Sequence, residues 1–245
     1  MTTNKYKSVS TPAKVRLVQN SGNDMTVVRS ARVSLASLEE MHSRNYLDST
    51  PSERDIRLIN YLAKHKHMSP FEHCHITFWV EAPLYISKQH MRHRTWSYNE
   101  VSRRYTSEDI RIYEPPFFRA QAKKNLQAST DEEINPVVMI VEGSYCTYET
   151  YATDAMKRNH LECVKLYETL LDAGVCREQA RGVLPNNLMT QYYATVNLRN
   201  VVAFLRERLG EGAQYEIREL AKQMASIVRE LYPISYGALM ENNNV

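Results

Sequence analysis

The chain has 245 residues, enough on length alone for one or two hydrophobic cores. Hydrophobic residues make up 43% and charged residues 24%, the balance of an ordinary globular protein. The formal charge of +3 gives no general support for a polyanion-binding surface.

No run approaches the length of a membrane-spanning helix, and MTTNKYKSVSTPAK at the N-terminus lacks the apolar centre of a secretory signal. Cys74, Cys146, Cys163 and Cys176 are scattered without a C-x-x-C pair. That usage reads as a reduced, cytoplasmic setting without a metal cluster. Tyrosine is abundant, with 16 residues against 5 Phe and 2 Trp. Its flat body and hydroxyl suit aromatic ligands and interfaces, and equally a tyrosine-rich core.

The first fourteen residues are polar and read as loose. Val15 to Val18 reads as a short strand. Ser21 to Asp24 is a turn, and Thr26 to Val28 opens the next element. Leu38 to Ser52 is broken and polar, a loop with some helix. Pro51 followed by Ser52-Glu53-Arg54-Asp55 predicts a helix start with acids in its first turn. That helix ends near Lys64 to His67. Ser69-Pro70-Phe71-Glu72 is a second junction. Cys74 to Val80 predicts a strand with Ile76, Phe78 and Val80 on one face. Leu84 to His93 predicts a helix after Pro83. Thr95 to Tyr105 shows no clean period, Glu114-Pro115-Pro116 is a loop, and 119–133 reads as polar and mobile.

From Asn135-Pro136 an apolar period of about one helical turn extends through Met156 to Leu171. It predicts a long helix, bent near Gly143 or Asn159 and stopped at Gly174. Arg177 to Val183 is a short helix closed by Pro185. Met189 to Val196 alternates as a strand. Asn197 caps the next helix, whose buried stripe is Leu198, Val201, Val202 and Leu205. After Leu209-Gly210-Glu211-Gly212, Ala213 to Leu231 is the clearest amphipathic helix, ended by Pro233. The tail from Met240 is polar and frayed. There is no repeat and no low-complexity linker, so residues 1–245 read as one domain with loose ends at 1–14 and 240–245.

The chemistry concentrates in Arg92-His93-Arg94-Thr95-Trp96-Ser97-Tyr98-Asn99-Glu100-Val101-Ser102-Arg103-Arg104-Tyr105. Four arginines fall within thirteen residues. Guanidinium forks suit phosphates, while Ser, Asn and Glu can read a sugar or a base edge. The residues alone point to an anionic, planar, polyfunctional ligand, or else to a solvated basic surface. Nucleic acid is disfavoured by the small total charge and by Glu100, Glu108 and Asp109. No G-x-G-x-x-G run occurs, which argues against a doubly wound dinucleotide-binding fold. His65, His67, His73 and His75 cluster, but without an H-E-x-x-H helix or a cysteine set, so no metal is assigned.

Arg-His-Arg followed after seven residues by Ser resembles the signature of the flavin-dependent thymidylate synthases. Further blocks agree with that family in order. They are Ala31-Arg32-Val33-Ser34, RDIRLINYLAKHKHMSPFE from Arg54 to Glu72, Arg181-Gly182-Val183-Leu184-Pro185, Thr195-Val196-Asn197-Leu198-Arg199 and Ala213-Gln214-Tyr215-Glu216-Ile217. The resemblance spans roughly residues 15–235.

It implies an α+β fold, with a mainly antiparallel central sheet packed with long helices. It implies a homotetramer with active sites where subunits meet. The implied activity is that of an FAD-dependent methyltransferase. It reductively methylates dUMP to dTMP with 5,10-methylenetetrahydrofolate and NADPH-reduced FAD, without a protein cysteine nucleophile. By motif position, Gln89, Arg92, Glu100, Ser102, Arg104, Arg181 and Arg208 resemble the dUMP site, with Arg208 in the catalytic role. His67, Ser69, Glu72, His93, Arg94, Asn197 and Arg199 resemble the flavin and folate side. Two positions depart from the family pattern. Ala203 stands where an Asn is common, and Gly212 where a His commonly precedes the alanine. Two other readings share the same residues: a flavin- and folate-dependent pyrimidine nucleotide hydroxymethylase, and a non-catalytic nucleotide- or RNA-binding protein.

Overall fold

The computed structural model describes residues 6–33, 49–123, 128–142 and 146–241. The polar stretch from Leu38 and the bend near Gly143 fall outside the described residues, except for the end of that stretch at 49–52.

Four strands make the central antiparallel sheet: β2 (Lys14–Ser21), β3 (His75–Pro83), β4 (Ser97–Glu100) and β10 (Met189–Asn197), in spatial order β2-β3-β10-β4. β3 and β10 pair along their whole length, from Met189 opposite Pro83 to Asn197 opposite His75. Their alternation settles which face is core. Ile76, Phe78, Val80, Tyr192, Ala194 and Val196 are buried on one side. The sequence-derived α+β expectation therefore holds, with an antiparallel centre.

Helices cover that apolar face. α1 is Asp24–Arg32, α2 is Glu53–Lys64, and α3 (Leu84–His90) follows β3 directly. α1 and α2 both begin with capping boxes, on Asn23 and Ser52. α4 (Ala152–Asp172) and the short α5 (Arg177–Ala180) build a second, smaller core with Ile110, Ile112, Val164, Tyr167 and Leu188. α6 (Leu198–Leu209), α7 (Tyr215–Leu231) and α8 (Pro233–Glu241) complete the main core. Asn197 caps α6 as its position predicts, accepting from the Asn200 N–H at 2.9 Å. Gly174 ends the chain's run beyond α4 with φ of 86°, the left-handed conformation that favours glycine.

Three expectations change. The long helix from Pro136 is instead a hairpin, β8 (Val137–Glu142) with β9 (Cys146–Tyr151), and α4 starts only at Ala152 and runs unbroken past Asn159. The run Val137-Val138-Met139-Ile140-Val141 is rich in β-branched residues and alternates between more and less exposed positions, so strand preference prevails over the looser helical spacing. Within the polar segment 119–133, β6 (Phe118–Gln121) and β7 (Ser129–Ile134) form another hairpin. The described parts of the two ends, from 6 and up to 241, also carry regular structure where their polarity predicts loose chain. β1 (Lys7–Val9) pairs in parallel with β5 (Arg111–Tyr113). Pro233 both ends α7 and opens α8, whose first N–H groups at Ile234 and Ser235 are accepted by buried Asp24 at 3.0 and 2.9 Å.

Candidate active site

A cavity of about 760 Å³ opens between the end of α3, the end of α6 and the start of α7. Gln89, Arg92, His93, Glu207, Arg208, Gly212, Ala213 and Gln214 line it. Four of these residues, Gln89, Arg92, His93 and Arg208, come from the sequence-derived site. Arg208 Nε donates to His93 Nε2 at 3.4 Å, and Arg208 Nη2 lies 3.0 Å from Glu207 Oε1. Burial holds the His93 pKa below the ordinary imidazole value. The Arg208 charge adds to that lowering, and Glu207 opposes it. His93 is therefore neutral near neutral pH and accepts from Arg208.

The turn carrying Arg92-His93-Arg94 is held from beneath. The Tyr98 hydroxyl, from β4, donates to the carbonyls of His90 and His93 at 2.8 and 3.2 Å. Below it, His90 is wholly buried, with Nδ1 2.9 Å from the Tyr192 hydroxyl and its ring 4.6 Å from that of Trp96. Burial pushes the His90 pKa down to about 3. A neutral imidazole in an aromatic nest thus anchors the residue two before Arg92.

The remaining sequence-derived residues lie elsewhere on the chain. Glu100 sits on the edge strand β4, where its carboxylate accepts from Thr190 Oγ1 at 2.7 Å. Ser102 Oγ accepts from the Arg104 backbone N–H at 3.3 Å, and the Arg104 guanidinium lies over the Tyr105 ring. Arg94 is exposed on the turn. Arg181 is exposed on the 3-10 turn that follows α5.

A second group gathers at the other end of α6. Ser69 and Glu72 lie on a 3-10 helix, Ser69–His73, that packs against α6. Glu72 pairs with Arg199. Asn197 is the α6 cap, and His67, just before the 3-10 helix, is exposed beside the rings of Tyr61 and His65. From Arg199 to Arg208 the helix advances about 14 Å. Within one chain, then, Gln89, Arg92, His93 and Arg208 gather at the C-terminal end of α6 and Ser69, Glu72, Asn197 and Arg199 at its N-terminal end, while Glu100, Ser102, Arg104 and Arg181 join neither group. Among the described residues, no three His, Cys, Asp or Glu side chains converge as a metal site, and no helix is long and apolar enough to cross a membrane.

The sequence profile of the family described as thymidylate synthase complementing protein matches residues 16–234. The chain belongs to this family. Among curated members, it is 40% identical to the flavin-dependent thymidylate synthase of Thermus thermophilus, over 93% of this chain and 76% of that one. It is 39% identical to the flavin-dependent thymidylate synthase of Thermotoga neapolitana, over 93% of this chain and 90% of that one. Among solved structures, it resembles the UMP/dUMP methylase PolB from Streptomyces cacaoi bound with 5-Br UMP. The TM-score is 0.75 at 30% identity, covering 97% of each chain.

The motif reading thus supplies the cavity's cationic wall. It assigns no role to Glu207, to Gln214, although Gln214 falls in the block from Ala213 to Ile217, or to His90, which lies under the turn. Glu207 directly precedes Arg208 and Gln214 lies two residues after Gly212, so nearness to named positions is the available signal. His90 had no sequence signal, because its burial depends on Trp96, Tyr98, Tyr192 and Phe204 arriving from three other elements.

Proposed function

We infer that this chain is a flavin-dependent thymidylate synthase that methylates dUMP to dTMP. The observation that carries the reading is the convergence of Gln89, Arg92, His93 and Arg208 on one cavity in a chain that belongs to the family. Two guanidiniums and an amide suit a phosphorylated pyrimidine, whose phosphate and ring carbonyls are acceptors. Arg208, fixed by neutral His93, is placed to donate where negative charge develops on the activated pyrimidine ring. Arg92 acts as a ligand clamp with Gln89 as a polar contact in this cavity, whereas Arg104 and Arg181 as clamps, and Glu100 and Ser102 as polar contacts, would reach the ligand from another subunit.

FAD reduced by NADPH supplies the hydride, and 5,10-methylenetetrahydrofolate supplies the one-carbon unit. His67, Ser69, Glu72, His93, Arg94, Asn197 and Arg199 are the residues assigned to the flavin side. Exposed guanidiniums on Arg94 and Arg199 suit the pyrophosphate of an anionic dinucleotide, the Ser69 hydroxyl and His67 imidazole can donate to it, and the Glu72 carboxylate, paired with Arg199, can only accept, from a ribose hydroxyl or a ring N–H. No described cysteine lines the cavity. Cys74 is buried, and burial pushes its thiol up to about 12, which leaves it protonated and a poor nucleophile.

The distance of Arg104, Arg181, Glu72 and Arg199 from the cavity lining supports active sites completed by a second subunit, in a homotetramer. Free Cys74, Cys163 and Cys176 support a reducing, cytoplasmic setting. The likeness to a UMP/dUMP methylase makes UMP the competing acceptor to test. Equilibrium binding of FAD, then of dUMP and UMP to the FAD-loaded protein, tests the reading. Saturable FAD binding and a preference for dUMP are expected. A protein that binds neither FAD nor either nucleotide overturns it.

A further inference from the structure

Behind the cavity wall, a polar chain runs into the protein. Gln89 Nε2 donates to Gln214 Oε1, and both residues line the cavity. Gln214 Nε2 donates to Glu216 Oε2 at 3.0 Å. Both Glu216 oxygens accept from Arg119 Nη2, at 2.8 and 3.0 Å. The side chains of Arg119 and Glu216 are 18% and 5% exposed, so the ion pair sits away from solvent. Arg119 comes from the β6–β7 hairpin and Glu216 from the first turn of α7, where a carboxylate also suits the helix N-terminus.

We propose that Arg119 and Glu216 are positioning residues for nucleotide binding, acting through Gln214 to set the orientation of the Gln89 amide. The argument is one of hydrogen-bond polarity. A primary amide can present its oxygen or its nitrogen in either direction, and the two ends differ only in what they can bond. A carboxylate only accepts. Glu216 therefore forces Gln214 to turn its NH2 inward and its oxygen toward Gln89. That oxygen in turn forces Gln89 to donate along the wall. The Gln89 carbonyl and its second N–H remain for the ligand in a fixed arrangement. Without the carboxylate, both amides can flip and half of their orientations present the wrong group to the cavity. The Arg119 guanidinium holds Glu216 in place, and its position over the Tyr215 ring, 4.7 Å from the centroid, holds the guanidinium.

This proposal rests on the reading of the cavity as the dUMP site. Its test is calorimetric titration of dUMP into the FAD-loaded protein, for the unmodified chain, Glu216→Gln, Gln214→Leu, Gln89→Ala and the pairwise combinations with Gln89→Ala. Glu216→Gln keeps the shape but can offer Gln214 either a donor or an acceptor, so the polarity is no longer enforced. Gln214→Leu cuts the relay and leaves the Arg119–Glu216 pair intact. Each single change is expected to weaken dUMP binding roughly tenfold, the scale of one hydrogen bond. Adding Glu216→Gln to Gln89→Ala is expected to cause no further loss, because Glu216 does not line the cavity and the relay reaches the ligand through Gln89; a further loss on adding Gln214→Leu reports direct contact by Gln214, which does line it, and counts against the relay. If Glu216 and Arg119 merely anchor the hairpin to α7, Glu216→Gln lowers the melting temperature while dUMP affinity stays unchanged, or its loss multiplies with that of Gln89→Ala. Either result overturns the relay. Should Glu216→Gln fail to fold, Gln214→Leu and its combination decide the matter alone. Failure of the unmodified protein to bind dUMP refutes the cavity assignment, and the relay with it.

Discussion

Arg208 Nε donates to His93 Nε2 across 3.4 Å, tying the last turn of α6 to the Arg92-His93-Arg94 turn. The bond exists only while the imidazole nitrogen has a free lone pair, so it depends on the protonation of His93.

The sign of the resulting pH dependence follows from the lowered His93 pKa. Burial, with Arg208 adding to it, places the folded value below the ordinary value of about 6.5. The bond is intact near neutral pH and is lost as pH falls through the lowered value. We expect kcat/KM for dUMP to decline on that acidic limb. NMR titration of the His93 ring checks the cause: Arg208→Ala removes a neighbouring cation and should move the His93 pKa upward. An unchanged or lower pKa in the variant contradicts the pairing.

Arg208→Ala itself should reduce turnover by roughly 10²- to 10³-fold, the usual loss on removing one donor to developing charge. Arg208 is only partly buried and lies in the last turn of its helix. Its loss should therefore leave the melting temperature close to that of the unmodified protein. Steady-state kinetics with a thermal melt check both parts, and near-normal turnover removes Arg208 from the catalytic role.

His90 supplies a stability prediction. Its folded pKa is depressed to about 3 by complete burial. The unfolded chain takes up the proton at about 6.5. Stability is therefore fully present above that value and is lost as pH falls toward the folded one. Urea unfolding should show a slope of about 1.4 kcal/mol per pH unit from this residue between roughly pH 6 and 4. His90→Phe should lack that increment of slope, although it leaves the Tyr192 hydroxyl without its partner. The same slope in the variant assigns the acid sensitivity to other groups.

Asn197 carries two assignments that substitutions can separate. Its side chain caps α6, so Asn197→Ala should cost about 1 kcal/mol. Asn197→Asp keeps the cap and should retain stability. If Asn197 also contacts the flavin, both variants weaken FAD binding. FAD affinity unchanged in Asn197→Asp leaves the residue as a cap alone.

Gly212 lines the cavity where the family commonly carries a His before the alanine. A side chain started there meets nothing within 4 Å. Gly212→His should therefore fold normally and tighten flavin or nucleotide binding, as read by equilibrium titration. No gain in either affinity argues that this chain has dispensed with the group.

Much of this architecture is legible in the sequence where local rules act alone. The α2 start at Ser52, the α6 cap at Asn197, the stop at Gly174 and the alternation of β10 all follow from residue type and spacing. The pairing of β8 with β9 is not legible because Tyr145, Tyr148 and Ala152 also match a helical period in the sequence, and only the contact between the two strands decides. For the site, the Arg92 to Ser102 run yields only an anionic planar ligand from its chemistry, and the ordered family blocks narrow it to a nucleotide and a flavin. The structure divides that run further. Arg92 and His93 face the cavity with Arg208, whereas Glu100 ends the edge strand and Ser102 and Arg104 follow it. Gln214, Glu216 and Arg119 were not legible as a unit, because the connection joins residues 97 positions apart in sequence.

The most direct test is product identification. The purified protein is incubated anaerobically with FAD, NADPH, 5,10-methylenetetrahydrofolate and dUMP, and the nucleotides are analysed by mass spectrometry. dTMP formed in proportion to NADPH oxidised is the predicted result. Formation of 5-hydroxymethyl-dUMP in place of dTMP, or of no 5-substituted pyrimidine nucleotide at all, contradicts it.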